Sequence, residues 1–244
     1  GEIVLFTSGT GSGKSTVVKE IILHVKEQTD EKIGIVSLEE SIGDTAQKLI
    51  GMQLRQNLEE NPAEEKLERE AFEKLFKDEK ILMLDHQGSV SDDSLIDKIE
   101  YLALMGCKKI FLDHITIAVS EGADGKTGNE AVDYVMSQLL KVVKKHNVWL
   151  GVISHLRKGT ERKPFEEGYL PTVDDIKGSG SIKQISFDII AFARHMTHED
   201  AVVRNTINFR VLKARKTGRT GDAGSAFYDH ETTRLRKTDM MEFV

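Results

Sequence analysis

Cysteine is nearly absent from this chain: Cys107 is the single one among 244 residues, so no disulfide can form within it. A chain without disulfides is typical of a reducing compartment such as the cytosol. Long apolar runs are also missing, since none approaches the roughly 18 residues that a membrane-spanning helix needs. No N-terminal signal peptide is recognisable. These absences predict a cytoplasmic protein that does not interact with a membrane.

Positive charge is in deficit. The 34 lysines and arginines are outnumbered by 40 aspartates and glutamates, which gives a net charge of −6. This deficit argues against a generally basic, nucleic-acid-binding surface, although it leaves room for a local one. A short basic cluster at Arg157, Lys158, Arg162 and Lys163 indicates either a solvated loop or such a local surface.

Internal repeats and low-complexity tracts are lacking as well. The first residue, Gly1, stands directly before an apolar segment, without a methionine or an N-terminal arm. A length of 244 residues with 39% hydrophobic content suits one large α/β domain that buries its own core. We therefore expect residues 1–244 to form a single domain cut from a longer protein.

Apolar, β-branched segments alternate with segments of helical periodicity along most of the chain. Strands separated by helices predict βαβ units and a mostly parallel sheet flanked by helices. The predicted strands are residues 2–7, 33–38, 80–85, 108–113, 148–154 and 187–194, and the predicted helices are 14–28, 42–57, 63–77, 92–106 and 129–146. Two irregular stretches, 114–128 and 155–178, are long for a compact domain, and such loops are usually functional or disordered.

The pattern changes after residue 200. Residues 206–215 alternate between apolar and polar, and residues 226–228 and 234–236 suit short strands. Gly221 and Gly224 are expected to interrupt regular structure between residue 215 and the short strand at 226–228. This part of the sequence predicts an antiparallel C-terminal extension of the same sheet.

The most informative segment is a glycine-rich turn between the first predicted strand and the first predicted helix. Its residues are Ser8, Gly9, Thr10, Gly11, Ser12, Gly13, Lys14, Ser15 and Thr16. This context predicts a P-loop, in which glycines let the backbone wrap around phosphate oxygens at a helix N-terminus. Lys14 is expected to reach the β- and γ-phosphates, and the Ser15 hydroxyl to hold Mg²⁺. The usual pattern begins with glycine, where this chain has Ser8.

Four carboxylates lie at or directly after the ends of predicted strands. Asp85 and Asp113 are each the last residue of a strand, at the sheet edge where ligands of open α/β sheets bind. Hydropathy alone does not decide which of the two supports Mg²⁺. Glu39 and Glu40 follow the strand 33–38, and one of them could polarise an attacking water. Because neighbouring residues at a strand end point to opposite sides, only one is expected to face the nucleotide. The alternative is an acid that favours the start of the next helix.

Basic and imidazole groups complete the candidates. His155 follows a strand and precedes the basic cluster, which suits a functional and a structural role equally. Lys213 and Arg215 are two residues apart in an alternating segment and should share a face, where they would clamp an anion. The residues alone leave open whether that anion belongs to this subunit's site or to a neighbour's. The His195 and His198 segment predicts a polar turn rather than a metal site.

Together these segments resemble the helicase domain of ring-shaped hexameric replicative DNA helicases, and most closely the helicase half of phage primase-helicases. The shared segments occur in family order and cover nearly the whole chain. They are Thr7-Ser8-Gly9, Gly13-Lys14-Ser15-Thr16, Leu38-Glu39-Glu40-Ser41, Leu112-Asp113-His114-Ile115, His155-Leu156, Lys177-Gly178-Ser179-Gly180 and Leu212-Lys213-Ala214-Arg215 with Thr217-Gly218. The resemblance implies a RecA-like P-loop NTPase core that hydrolyses ATP or dTTP with Mg²⁺.

The resemblance also implies individual roles. It makes Glu39, rather than Glu40, the catalytic base, and Asp113 the second Mg²⁺ residue beside Ser15. It makes His155 the sensor of the γ-phosphate. Arg215 is the implied arginine finger, a cation supplied to the nucleotide site of the neighbouring subunit, with Lys213 beside it. Tyr228 falls where the family stacks an aromatic ring on the nucleobase.

Further implications concern assembly and DNA. Loops at 114–128, 155–165 and 177–183 would line a central channel for single-stranded DNA. The motor would translocate along this DNA in the 5′→3′ direction. The candidate DNA-binding residues are Arg157, Lys158, Lys163, Lys177, Gly178, Gly180 and Lys183, whereas Glu161 departs from the basic residue of similar proteins. The resemblance implies a hexameric ring and a primase that is either fused or separate. The source organism stays open, and a phage-encoded protein would act in the host cytoplasm. The family's N-terminal packing helix is missing here, so this chain alone is not expected to form a stable ring.

Two other functions share parts of this pattern. A recombinase-like ATPase that forms filaments on DNA would have the same fold, P-loop and trans-acting cations. A nucleotide-gated assembly module would need no hydrolysis, and the intact candidates for base, metal acid and finger argue against it. Unwinding of forked DNA would separate the three.

Overall fold

The computed structural model describes residues 1–85, 93–115, 128–156, 164–176 and 180–238. Its strands are β1 (Glu2–Ser8), β2 (Lys32–Ser37), β3 (Ile81–Asp85), β4 (Cys107–Asp113), β5 (Trp149–His155), β6 (Asp188–Arg194), β7 (Thr206–Ala214), β8 (Gly221–Asp229) and β9 (Arg234–Lys237). Its helices are α1 (Lys14–Gln28), α2 (Ile42–Leu54), α3 (Glu65–Phe76), α4 (Asp93–Leu104), α5 (Gly128–His146), α6 (Gly180–Ile185) and α7 (Ala201–Arg204), with one 3₁₀ turn at Val173–Asp175.

In the described residues all nine strands belong to one sheet, in the order β3-β2-β4-β5-β1-β6-β7-β8-β9. The six strands from β3 to β6 are parallel, and β7, β8 and β9 continue the sheet antiparallel. The predicted α/β class with an antiparallel C-terminal extension is therefore confirmed.

Each face of the sheet carries its own apolar core. One core packs α4, α5 and α6 against the sheet, for example through Leu102, Leu139 and Ile182. The other packs α1, α2 and α3 against the opposite face, for example through Ile22 and Leu49. Strands buried on both faces read as continuous apolar runs, which explains why the parallel strands were recognisable in the sequence. In the described residues, no helix is both long enough and apolar enough to cross a bilayer.

Three features differ from the sequence predictions, and the other predicted elements agree within two residues. The helix predicted for 42–57 ends at Leu54, because Arg55 caps it in the left-handed conformation with φ 58°. The predicted break at Gly221 and Gly224 is wrong, since both lie inside β8, and their φ values of 126° and 91° suit glycine in an irregularly paired strand. The helices α6 and α7 were not predicted, because six and four residues are too short to show a helical period.

Strand register brings the polar strand ends to one edge of the sheet. Ser8 of β1 is level with His155 of β5, and Ser37 of β2 is level with both Asp85 and Asp113. The carboxyl ends of five parallel strands, from β3 to β1, therefore share this edge. Ligands of open α/β sheets bind outside such an edge.

Candidate functional site

The turn between β1 and α1 forms a concave backbone loop at the carboxyl edge. Gly11 and Gly13 have φ values of 75° and 90°, which residues with a β-carbon rarely adopt. The ammonium of Lys14 folds back over the loop and donates hydrogen bonds to the carbonyl oxygens of Ser8 at 3.2 Å and Gly9 at 2.9 Å. Burial lowers the pKa of Lys14 to about 8, although Asp113 and Glu39 oppose the shift. A cation and the N–H groups of the first helical turn thus converge on one concavity.

Ser15 and Asp113 meet beside this loop. The Ser15 hydroxyl donates a hydrogen bond of 3.0 Å to Oδ2 of Asp113. Burial raises the pKa of Asp113, against the opposing effects of Lys19 and of the Ser15 hydrogen bond. Asp85 ends β3, two strands from β4, which is roughly 10 Å at ordinary strand spacing. The structure therefore brings Asp113, and not Asp85, to the P-loop serine.

The two glutamates after β2 have different partners. Glu40 accepts hydrogen bonds from Lys19 at 2.9 Å and from Lys48 at 2.6 Å. Burial acts against ionisation of Glu40, but the two lysines outweigh it and hold the pKa of this carboxyl below its usual range. Glu39 instead places Oε1 2.6 Å from Nε2 of His114. Glu40 is therefore held in ion pairs, whereas Glu39 turns toward the ends of the neighbouring strands.

His114 was not singled out in the sequence and is central to the site. Its side chain is almost fully buried, and its Nε2 lies 2.5 Å from Nε2 of His155. Backbone hydrogen bonds from Leu38 N–H to the Asp113 carbonyl and from Ile115 N–H to the Ile153 carbonyl tie the three strand ends together. The signal for His114 was its position directly after Asp113, but a lone histidine is indistinguishable from a packed core residue until the strands are assembled.

A cleft of about 320 Å³ opens beside the start of α1. Ser15, Thr16 and Glu39 line one part of it, and Tyr228 of β8 lines another. The Arg194 guanidinium lies over the Tyr228 ring, 6.0 Å from its centroid. Arg194 was missed by the sequence analysis, since it lies at the end of a strand with nothing to connect it to Tyr228 before the sheet is formed.

Asn205 joins the groups around Tyr228. Its side-chain oxygen accepts a hydrogen bond from Arg194 Nη2 at 2.9 Å and lies 2.9 Å from Nε2 of His230. Its backbone carbonyl accepts from the Tyr228 N–H at 2.8 Å. One buried residue, Asn205, therefore contacts both the Arg194 side chain and the backbone of Tyr228.

Lys213 and Arg215 lie far from this chain's own P-loop. Both donate to the Gln184 carbonyl oxygen near the C-terminal end of α6, at 3.3 Å and 2.8 Å, so they share a face as expected. Ala214 is level with Asp188, and Asp188 is level with Val4, four residues before Ser8 on β1. Four strand residues span about 13 Å, so the cations sit toward the opposite edge of the sheet.

The other predicted residues are placed only in part. Arg157, Lys158, Lys163, Lys177 and Gly178 lie outside the described residues. Gly180 begins α6, and Lys183 on that helix pairs with Asp174 at 3.2 Å. His195 and His198 flank a turn at residues 196–197 after β6, with ring centroids 4.9 Å apart, and the predicted polar turn is present in this segment.

Comparison with known proteins agrees with this geometry. The family described as DnaB-like helicase C-terminal domain matches residues 1–237. A DNA helicase/primase of Enterobacteria phage T3 is 36% identical over 239 residues, which make up 95% of this chain and 42% of that protein. The replicative DNA helicase DnaC of Bacillus subtilis (strain 168) is 22% identical over 235 residues, 93% of this chain and 50% of that protein. The chain thus spans about half the length of these curated relatives.

Two solved structures share the fold. One is described as an ATPase domain; it has a TM-score of 0.80 at 17% identity, and the match covers 98% of this chain and 85% of that chain. The other is a structure of a DnaB-like replicative helicase and its interactions with primase, with a TM-score of 0.81 at 16% identity over 98% of this chain and 57% of that chain. The resemblance found in the sequence is confirmed, and this chain belongs to the family of DnaB-like helicase C-terminal domains.

Proposed function

We propose that this domain is the motor of a replicative DNA helicase, which hydrolyses a nucleoside triphosphate such as ATP or dTTP in the cleft beside α1. The observation that carries the proposal is the convergence of Lys14, Ser15, Asp113 and Glu39 at one edge of the sheet. Phosphoryl transfer to water needs a cation, a metal-binding pair and a base, and these four side chains provide that set.

The triphosphate would bind in the turn between β1 and α1. The Lys14 ammonium now donates to two neutral carbonyls, those of Ser8 and Gly9. Phosphate oxygens would be stronger acceptors than these carbonyls, because their negative charge adds Coulomb attraction to the hydrogen bonds of the ammonium. Binding would therefore draw Lys14 from the loop carbonyls to the phosphates.

The donor set at Ser15 and Asp113 fits Mg²⁺. Both groups offer oxygen, the ligand that Mg²⁺ prefers, and their oxygens are 3.0 Å apart. A bound Mg²⁺ would offset charge on the β- and γ-phosphates. A nearby cation would also favour the ionised form of Asp113, whose pKa burial raises.

Glu39 is the proposed base. Its side chain lines the cleft and is 45% exposed, so its carboxylate can reach a water next to the γ-phosphate. His114 orients the carboxylate through the 2.6 Å contact and in turn touches His155. This chain of contacts supports His155 as a sensor, since a change at Glu39 reaches the strand that leads into residues 157–163.

We propose that Tyr228 stacks on the nucleobase, with Arg194 positioned on its ring. The distance of Lys213 and Arg215 from their own P-loop supports their action on a neighbouring subunit, as expected in a hexameric ring. Both cations also donate to carbonyls at the end of α6. The first residues of that helix, from Gly180 to Lys183, belong to the proposed DNA-binding segment 177–183, so the helix would connect Arg215 to the DNA path.

Single-stranded DNA would run along the basic loops. The proposed contacts are Arg157, Lys158, Lys163, Lys177, Gly178, Gly180 and Lys183. A primase, fused or separate, is the proposed partner, because the phage T3 relative is a helicase/primase and a similar structure describes interactions with primase. Translocation 5′→3′ in the cytoplasm completes the proposal.

The test compares hydrolysis and unwinding in the same preparation. Single-stranded DNA should stimulate NTP hydrolysis, forked duplex DNA should be unwound, and Lys14→Ala should lose both. Hydrolysis on DNA without any unwinding by an assembled ring would favour the filament-forming ATPase. Normal turnover in Lys14→Ala would contradict the proposed site.

A further inference from the structure

We propose that Glu39, His114 and His155 form a binding site for a transition-metal ion of the Zn²⁺ class, distinct from the Mg²⁺ site at Ser15 and Asp113. Among the described residues, these three are the one group of histidine, cysteine and acidic side chains with ligand atoms clustered for a metal, all within 4.8 Å of one another.

The separations of the ligand atoms suit a tetrahedral ion. Nε2 of His114 lies 2.6 Å from Oε1 of Glu39 and 2.5 Å from Nε2 of His155, and the third side of the triangle is 4.0 Å. Around Zn²⁺ with bonds near 2.05 Å, neighbouring tetrahedral ligands are about 3.3 Å apart. The observed triangle brackets this value, so each ligand atom needs to move by less than about 1 Å.

The chemistry of the three atoms also favours a cation. Nε2 of His114 faces both a carboxylate oxygen and a second imidazole nitrogen, and it can carry at most one proton. One metal ion would accept a lone pair from each of the three atoms at once. Two imidazole nitrogens and one carboxylate suit Zn²⁺ and Co²⁺, whereas Mg²⁺ prefers oxygen ligands, so the two sites would sort cations by their donor atoms.

The backbone holds these ligands in place before any ion arrives. They follow or end the adjacent strands β2, β4 and β5, which hydrogen bonds at Leu38 and Ile115 tie together. His114 is 2% exposed, while the Glu39 side chain is 45% exposed. The cluster is therefore closed on the sheet side and open toward the cleft, which leaves a fourth position for water, as in zinc sites with three protein ligands.

The expected consequence rests on the proposed function. An ion bound to Glu39 takes the lone pair that would accept the proton of the attacking water, so hydrolysis should stop. Lys14 and Ser15 are not ligands of this ion, so nucleotide binding should persist. Zn²⁺ would thus separate binding from turnover.

The binding test uses Co²⁺, because tetrahedral Co²⁺ has intense visible absorption bands and octahedral Co²⁺ does not. We expect metal-free protein to develop these bands on titration, Zn²⁺ to remove them, and excess Mg²⁺ to leave them. Glu39→Gln and His155→Gln should each weaken binding more than about 100-fold, since even the loss of a group behind a ligand costs about 10–100-fold. His198→Gln is the matched control and should bind Co²⁺ normally, with circular dichroism showing that every variant is folded.

The outcomes separate this inference from the proposed function, because the absorption needs no nucleotide. Octahedral spectra, bands that survive both ligand substitutions, or bands lost in His198→Gln would overturn the metal site. Tetrahedral bands that depend on Glu39 and His155 would support it even if the protein hydrolysed no nucleotide, and that result would contradict only the proposed function. Hydrolysis that continues with the site saturated by Zn²⁺ would overturn the inhibitory role.

Discussion

The charge of Lys14 should make nucleotide affinity depend on pH in a range where an ordinary lysine does not titrate. Burial lowers the pKa of this ammonium from 10.5 to about 8 in the nucleotide-free protein. The triphosphate needs the charged form, and its phosphates would keep Lys14 protonated once bound. Affinity should therefore be highest below the lowered pKa and should fall as the pH rises through it.

The magnitude follows from the fraction of Lys14 that is charged before binding. With a pKa of about 8, that fraction falls about tenfold between roughly pH 7 and pH 9. The dissociation constant should therefore rise about tenfold, which weakens the binding free energy by ~1.4 kcal/mol.

The same pKa shift also affects folding. The unfolded chain holds more protons than the native one between about 8 and 10.5, so this lysine should make the nucleotide-free protein more stable as the pH rises through that range.

Calorimetric titration of the protein with a non-hydrolysable Mg²⁺–triphosphate at a series of pH values measures the effect. Lys14→Met is the control, because it should bind more weakly but lose the step near pH 8. Burial raises the pKa of the Cys107 thiol to about 11, so that group should stay silent in this range. An affinity that stays constant up to about pH 10, or a step that persists in Lys14→Met, would refute the reasoning.

The remaining predictions concern the base, the finger and the base-stacking ring. Glu39→Gln should bind nucleotide and slow hydrolysis by about 10²–10⁴-fold in a steady-state assay. Glu40→Gln should retain turnover but lower the free energy of unfolding by about 1–3 kcal/mol in denaturant melts, since it leaves Lys19 buried without its carboxylate. Slow hydrolysis in Glu40→Gln with normal hydrolysis in Glu39→Gln would make Glu40 the base. Arg215→Ala should slow NTP hydrolysis about 10³–10⁵-fold, and only in assembled protein. Mixing Arg215→Ala subunits with Glu39→Gln subunits should restore partial activity, whereas no recovery would mean that Arg215 acts in the site of its own subunit. Tyr228→Ala should raise KM about tenfold or more while Tyr228→Phe does not, because stacking is worth about 1–3 kcal/mol per base; equal effects would argue against stacking.

Local patterns in the sequence were sufficient for the fold class and for the phosphate loop. The parallel strands are buried on both faces, so each one shows as an apolar run, and the turn before Lys14 requires glycines at fixed positions. The short helices α6 and α7 and the course of β8 through Gly221 and Gly224 could not be predicted in this way. They depend on packing and irregular pairing with the rest of the sheet, not on a local period.

The choice among polar residues depended on contacts between distant parts of the chain. Asp85 and Asp113 look alike in sequence, and only the order of the strands places Asp113 beside Ser15. The contact of His114 with Glu39, on which its proposed role rests, likewise becomes visible only when β2, β4 and β5 end side by side.

Long-range packing of the strands also decides where Lys213 and Arg215 lie. The sequence by itself determined that Lys213 and Arg215 share a face, because alternation along a strand is a local property. Whether they could reach the phosphates of their own subunit depended on strand direction, and the antiparallel β7 carries them toward the far edge of the sheet. Strand direction and neighbour order are set by long-range packing, so only the tertiary structure could decide them.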